Sequence, residues 1–445
     1  MTRTWLAGKD SRGGLLVRLA LRRFVALTGM LALFAYVWIY AGHLAEAPIR
    51  SDGVSYYVYL PSWLLYQDVT LESVARECCG GTFPAFTAIV RWRATGRWVD
   101  AHPIGEAILM APFFVAAHLL TRWSNLPPDG FSLYYQHADG LSGLVYFLLG
   151  LAIVRRLLRR HFADGVALAT LATLTFGTNL FHYGVFDSSF SHAYSFFLVA
   201  ALVALTDAWW TGPRWPVTLA LALVAALVVL TRHPNVMFLL LVPLYDVASV
   251  RDLWRNLSAL WVRRRAVLIG AVVFVAGVFP QLAMYHGATG HWLVSSYGDL
   301  GFTWSSPHLF GVLFSVQKGL FFWSPVLLFS LAGLVVARGW ARRWRSGVAL
   351  TLALDTYVIA SWWDWQYGGS YGHRGFTDTL ALFAIFVAAF FAWAAERPRA
   401  RRLVAAVATL AVTLSIVQML QYWLHVIPFA DTTWDQYRRL FLKFH

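Results

Sequence analysis

The chain has 445 residues, 59% of them hydrophobic and only 13% charged, with a mean hydropathy of +0.57. A soluble protein of this length has too little interior to hide that much apolar surface, so the composition points to a bilayer as the solvent of the fold. The net charge of +14 would suit a nucleic-acid binder, yet the Arg-rich clusters at 17–23, 155–160, 251–265, 337–345 and 396–402 alternate with apolar runs. Cytoplasmic loops do the same under the positive-inside rule, so the basicity is read as orientation with attraction to anionic membrane lipids, and no nucleic-acid partner is expected.

Residues 1–23 form a basic, cytoplasmic N-terminus, and the apolar run that follows is long enough to span a membrane. It looks like a signal peptide, but Pro48 directly after the small residues Ala45 and Ala47 obstructs cleavage, so an uncleaved first helix over 24–42 is expected. An extracytoplasmic loop, 44–102, comes next and opens on "APIRSDGVSYYVYLPSWLLYQD", 47–68. Asp52, Ser55, Tyr56, Tyr59 and Ser62 share a helical face there, which predicts an amphipathic helix lying in the interface with its rings at headgroup depth. Asp52 either caps that helix or serves a site, because an ionisable group at this depth is a functional suspect. Cys78 and Cys79 are neighbours, and such a pair reveals little about redox compartment.

His102 and Glu106, four apart, open the apolar segment 104–120 and either face one site or bond each other. A single crossing by this segment would carry 155–160 to the outside, so it is half-inserted or pairs with an unrecognised helix. Further crossings are expected at 136–154, 163–183, 190–208, 215–231, 235–249, 266–285, 319–337, 347–362, 376–394 and 402–424. The result is an all-α polytopic protein of about eleven to thirteen transmembrane helices. It comprises one transmembrane domain over 24–424 and an extracytoplasmic tail, 425–445.

This threading puts the unusual polar stretches on one side: 98–106, 182–192, 230–235, 297–304, 315–325 and 362–376. Arg232, in "RHPN", runs against the charge bias and asks for an anionic partner; a plain turn is the alternative. Lys318 is one of three lysines among 36 basic residues, with Lys9 and Lys443, and is either an anchor or a point charge for phosphate. In "DWQYGGSYGHR", 364–374, Gly368, Gly369 and Gly372 permit sharp turns or close backbone approach. Trp362, Trp363, Trp365, Tyr367 and Tyr371 offer flat faces for sugar or lipid, and the Arg374 fork matches phosphate. Asp187 and His192 invite a hydrolase triad, but helix capping at Ser188–Ser191 explains the spacing better. No glycine-rich phosphate loop, zinc spacing or repeat is apparent, and no cofactor is expected; a divalent metal is not indicated.

Taken in order, "SDGVSYYVYLPSWLLYQD", "GTNLFHYGVFDSSFSHAYSFF" and "YGGSYGHRGFTD" resemble the GT-C superfamily of integral-membrane glycosyltransferases. The likeness is to a bacterial mannosyltransferase-like branch, related to protein O-mannosyltransferases and the lipid A aminoarabinose transferase. The resemblance implies a GT-C-type fold with interfacial helices in the first extracytoplasmic loop. It also implies inverting transfer of a sugar from a polyprenyl-phosphate donor to a hydroxyl of a protein, lipid or glycan acceptor. The family's acid matches Asp52, as general base, and its His-Pro element matches His102–Pro103. Ile104 stands where a second proline is usual, and Gly53 where a second acid is usual. Chemistry and topology add Arg374, Lys318 and Arg232 for the donor phosphate. Tyr56, Tyr59, His102, Glu106, Trp365 and Tyr371 are the expected substrate contacts. The Arg-rich, Lys-poor composition suits a bacterial inner membrane, with the site facing the periplasm. A lipid-linked sugar flippase or a surface-polysaccharide polymerase or ligase is the alternative.

Overall fold

The computed structural model describes residues 12–294 and 300–444. Long apolar runs without water-facing periodicity become helices, since only a helix satisfies every backbone group inside lipid. A first helix, α1 (Arg12–Ala41), begins well before the expected boundary at residue 24. The loop beyond it holds α2 (Asp52–Tyr57), α3 (Tyr59–Leu64), α4 (Glu72–Cys79) and a hairpin of β1 (Ile89–Arg91) and β2 (Trp98–Asp100). The strands pair antiparallel, Ile89 opposite Asp100 and Arg91 opposite Trp98. Cys78 and Cys79 are disulfide-bonded. Next come α5 (Gly105–Arg122), α6 (Leu133–His161), α7 (Asp164–Phe176), α8 (Leu180–Val185), α9 (His192–Thr211) and α10 (Trp215–Thr231). The second half has α11 (Val250–Val262), α12 (Arg264–Thr289), α13 (Leu309–Phe314), α14 (Leu320–Trp323), α15 (Leu328–Val336) and α16 (Gly339–Arg343). It ends with α17 (Arg345–Ser361), α18 (Leu380–Ala395), α19 (Pro398–Trp423) and α20 (Trp434–Leu440).

The protein is thus an all-α polytopic membrane protein. Among the described residues, six helices are long and apolar enough to cross a membrane: those at 13–41, 133–161, 192–211, 264–289, 374–395 and 398–423. Shorter apolar helices lie at Asp164–Phe176, Trp215–Thr231 and Pro325–Val336. Several expected crossings are interrupted. Residues 163–183 break at Gly177–Asn179, and 235–249 holds a 3-10 stretch, His233–Leu241, followed by turns. Residues 319–337 are split by a 3-10 turn at Pro325–Leu327.

The segment 104–120 does not run the length of its neighbour. The Tyr146 hydroxyl donates to the Leu109 carbonyl at 2.9 Å, and His118 Nδ1 lies 2.6 Å from the Tyr135 hydroxyl. Helix α5 therefore runs antiparallel to α6, starting opposite its middle and returning towards its N-terminus.

Polar contacts gather at two opposite ends. At one, Arg155 donates to the Arg22 carbonyl at 2.6 Å, and Arg18 and Arg159 each lie 3.7 Å from Asp164. Asp207 accepts from Tyr245 at 2.7 Å and Trp340 at 2.8 Å, while the Arg263 guanidinium sits 5.1 Å from the Trp209 ring. The Arg-rich clusters of the sequence thus meet at a common end. The tail does not stand apart from the body: Tyr437 of α20 packs against Phe322 and Trp323 and accepts from Gln418.

Candidate functional site

The opposite end carries a cavity of about 380 Å³. Its walls come from α2, the loop after β2, the turn before α9, the turn after α10 and the 362–374 loop. Asp52, Tyr56, His102, Arg232 and Arg374, five residues singled out from sequence, all line it.

Asp52 opens α2, yet its carboxylate is not spent on capping: Oδ2 pairs with Arg374 Nη1 at 2.7 Å. Burial pushes the Asp52 carboxyl up, but Arg374, with His102 and His192 nearby, brings it net below its ordinary value. A side chain at position 53 would meet Ser189, its Cβ 2.5 Å from Oγ and 3.1 Å from the carbonyl oxygen. Position 53 therefore has no room for a second acid. Gly143 of α6 lies still closer to this turn: a Cβ there would fall 1.8 Å from the Ser188 oxygen. Both glycines let the 187–191 turn press into the body and present Phe190, Ser191 and His192 to the cavity.

Arg232 finds the anionic partner its position asks for. Its Nη1 donates to Asp378 Oδ2 at 2.8 Å, and His192 Nδ1 lies 3.0 Å from Asp378 Oδ1. Tyr367 sits beside both guanidinium groups, its ring centroid 5.9 Å from Arg232 and 6.0 Å from Arg374. Two arginines thus meet in one cavity, each held by a carboxylate. The hairpin supplies the opposite wall: the Asp100 carboxylate accepts from the His102 backbone N–H at 2.8 Å, and the Tyr56 and His102 rings lie 4.5 Å apart. Burial pushes the Asp100 carboxyl up to about 6.

Behind Asp52, Arg50 donates to Asp187 at 2.7 Å, and Asp187 also lies 2.8 Å from His182 Nε2. Burial raises the Asp187 carboxyl, but Arg50 and His182 together hold it well below the usual carboxylate range. The Trp423 indole N–H donates to His182 Nδ1 at 2.9 Å, tying α19 to the same network. Asp187, paired with Arg50, and His192, hydrogen-bonded to Asp378, therefore belong to two networks, in place of the capping role expected for their segment.

The other expected contacts lie outside the cavity lining, which corrects their placement. Lys318 is buried, and its Nζ donates to the carbonyls of Ser370 and, at 2.6 Å, Phe429. Burial brings its pKa down to about 7, and both bonds hold Nζ on backbone carbonyls outside the cavity lining. The Tyr371 hydroxyl donates to the Ser415 carbonyl at 2.7 Å, deep in the core. Trp365 stacks on His308, its ring edge close under Gly311. Its carbonyl accepts from His373 at 2.8 Å. Burial, opposed by that bond and reinforced by nearby cations, pushes His373 down to about 3, so its ring is neutral. Tyr59 is buried and donates to the His102 carbonyl at 2.7 Å, which makes it a support for the His102 loop. Glu106 is fully buried, and neither carboxyl oxygen has a hydrogen-bond partner among the described residues.

The rings of the opening stretch are not an interfacial belt either: Tyr56, Tyr57 and Tyr59 are buried in two short helices. Tyr57 donates to the Gly130 carbonyl and Tyr66 to that of Asp129. The 297–304 stretch lies partly outside the described residues; its remainder pairs with the site loop through a bridge between Phe302 and Trp362. Sequence reasoning missed Arg50, His182 and Asp378. Asp378 had a usable signal, an acid four residues after Arg374 in an apolar run. Among the described residues, no group of three or more His, Cys, Asp or Glu is disposed to hold a metal ion.

No protein-family model, curated protein or solved structure matches the chain significantly. What the site can do therefore rests on its own chemistry. Two arginine–carboxylate pairs and aromatic walls share this one cavity, a setting with cationic forks and flat apolar faces.

Proposed function

We propose that the protein is a GT-C-type glycosyltransferase of about eleven to thirteen crossings, set in a bacterial inner membrane with its cavity facing the periplasm. It takes a sugar from a polyprenyl-phosphate donor and passes it, with inversion, to an acceptor hydroxyl. The observation that carries this reading is the pairing of Asp52 with Arg374 at 2.7 Å inside a cavity that Arg232 also lines.

A donor phosphate entering the cavity competes with the Asp52 carboxylate for Arg374. Once the guanidinium turns to the phosphate, burial acts on Asp52 with less opposition and its basicity rises. Asp52 then takes the proton from the acceptor hydroxyl, whose oxygen forms the new bond to the anomeric carbon. The bond from that carbon to the phosphate oxygen breaks, and its electron pair stays on the phosphate. Arg374 and Arg232 offset the charge that grows there. Tyr56, Tyr367 and the tryptophans at 362 and 363 give the sugar its flat walls.

The test is release of polyprenyl phosphate by purified protein in nanodiscs, across a panel of labelled polyprenyl-phosphate sugars. Release from one donor, reduced about 10²–10⁴-fold in Asp52→Asn of matched thermal stability, is expected for loss of a general base. Full activity in that variant would remove Asp52 from the chemistry. The buried, unpartnered Glu106 favours a second reading, a proton-coupled flippase for a lipid-linked sugar. Movement of donor lipid across liposomes without sugar transfer would support it instead.

A further inference from the structure

Helices α7 and α19 face each other across an apolar cavity of about 620 Å³ that shares no lining residue with the candidate site. Its walls are small: Gly165, Ala169 and Ala172 on one side, Ala405 and Ala408 on the other. Small residues on facing helices ordinarily let the backbones close on each other. Here the helices meet just beyond Phe176, where Ser415 donates to the Gly177 carbonyl, and leave a groove floored by Phe391, Ala394 and Ala395 of α18. Phe176 lies at its inner limit, where it also borders a second apolar cavity of about 370 Å³ between α1 and α19.

The outer limit of the groove is basic. Arg401 lines the cavity, and Arg399 and Arg402 are its exposed neighbours. Among the described residues, the Arg401 guanidinium makes no hydrogen bond or ion pair. The acids nearby are already matched: Asp164 lies between Arg18 and Arg159, and Glu396 pairs with Arg397. From Arg401 to Thr413 the α19 wall runs about 18 Å at the rise of an α-helix. One leaflet of hydrocarbon is about 15 Å thick, half of the bilayer core.

We propose that this groove is a binding site for an anionic phospholipid of the leaflet at the basic end. One acyl chain lies between α7 and α19 as far as Phe176, and the phosphate sits at Arg401. A single straight chain fills a slot that small residues leave open, and its headgroup supplies the anion that Arg401 lacks. Basic pockets between transmembrane helices recognise lipid headgroups by this same pairing. The proposal is independent of sugar transfer, because the groove and the cavity of Asp52 and Arg374 share no lining residue.

The test uses full-length protein and two probes with the same acyl chains, phosphatidylglycerol and phosphatidylcholine. Native mass spectrometry counts lipids retained per chain, and thermal unfolding is followed with each lipid added. The native protein should retain one phosphatidylglycerol and be stabilised by it more than by phosphatidylcholine. Arg401→Gln should reduce retained phosphatidylglycerol about tenfold, and Ala169→Phe with Ala408→Leu should abolish retention. Equal retention in Arg401→Gln, or equal stabilisation by both lipids, would overturn the proposal. So would a filled groove that keeps its lipid, or a mass that doubles where a second copy occupies the groove. If the filled variant does not fold, the Arg401→Gln comparison decides alone.

Discussion

A carboxylate clamped by a guanidinium at 2.7 Å is a poor base until something takes the cation away. That tension makes Arg374 more informative than Asp52. In Arg374→Gln, burial acts on Asp52 without the principal opposing charge, so its pKa rises. A reaction that needs ionised Asp52 is then lost at a higher pH, and the acid limb of the rate profile moves upward. Transfer at the optimum should also fall by about 10²–10³-fold, the usual cost of removing one donor aimed at developing charge. Arg232→Gln is the control: its guanidinium bonds Asp378 and not Asp52, so the limb should stay where it is while the rate falls. An unmoved limb in Arg374→Gln would separate Asp52 from the titration. Lys318 belongs at this scale too. Lys318→Met removes the donor from the Ser370 and Phe429 carbonyls, at about 1–3 kcal/mol for each one left buried and unpaired. The unfolding midpoint should drop while the KM for donor stays unchanged. A selective rise in KM would return Lys318 to the phosphate.

The loop elements explain how much of the site was legible. Asp52, His102, Arg232 and Arg374 could be found because a charged residue in an apolar chain is costly and demands a reason. Their partners were harder to see. Asp378 and His192 come together from distant segments, and nothing local in either one names the other. The aromatic stretch misled for a related reason. Its pattern fits a helix face, but Val58 joins two short helices in which Tyr57 and Tyr59 donate inward to carbonyls, so those two rings are framework while Tyr56 lines the cavity. Trp365 and Tyr371 could not be told from Trp362, Trp363 and Tyr367 by type; only the turn through Tyr367 and Gly368, both at positive φ, decides which rings face the cavity. Gly53 shows the fold acting on chemistry. Gly53→Ala places a methyl against Ser189, and crowding of this kind costs about 1–3 kcal/mol. The loss should appear in the unfolding midpoint and in transfer, because the displaced segment begins with Asp52. A variant as stable and active as the native chain would show that the Ser189 turn yields freely.

At the scale of the whole molecule, charge sorts by end. The clusters at 17–23 and 155–160 touch through Arg155 and the Arg22 carbonyl, and His161 stacks 4.2 Å from Trp340 in the 337–345 cluster. The ion pairs of the cavity lie at the opposite end. Sequence could anticipate this division because charge bias is written along the chain. It could not anticipate that α5 starts opposite the middle of α6, since apolar length alone does not say where along its neighbour a helix packs. The division makes an accessibility prediction. With Cys78 and Cys79 replaced by serine, a single cysteine at Phe86, which is 60% exposed at the cavity mouth, should react with a membrane-impermeant maleimide in intact bacterial cells. A cysteine at the exposed Arg342 should react only after the membrane is opened. The reverse result would turn the cavity to the cytoplasm, where the basic end could no longer follow the positive-inside rule. Reaction of both positions in intact cells would deny that the two ends lie on opposite sides of a membrane. Because the predicted transfer needs the acceptor and Asp52 on one side, the labelling pattern constrains where that acceptor must be.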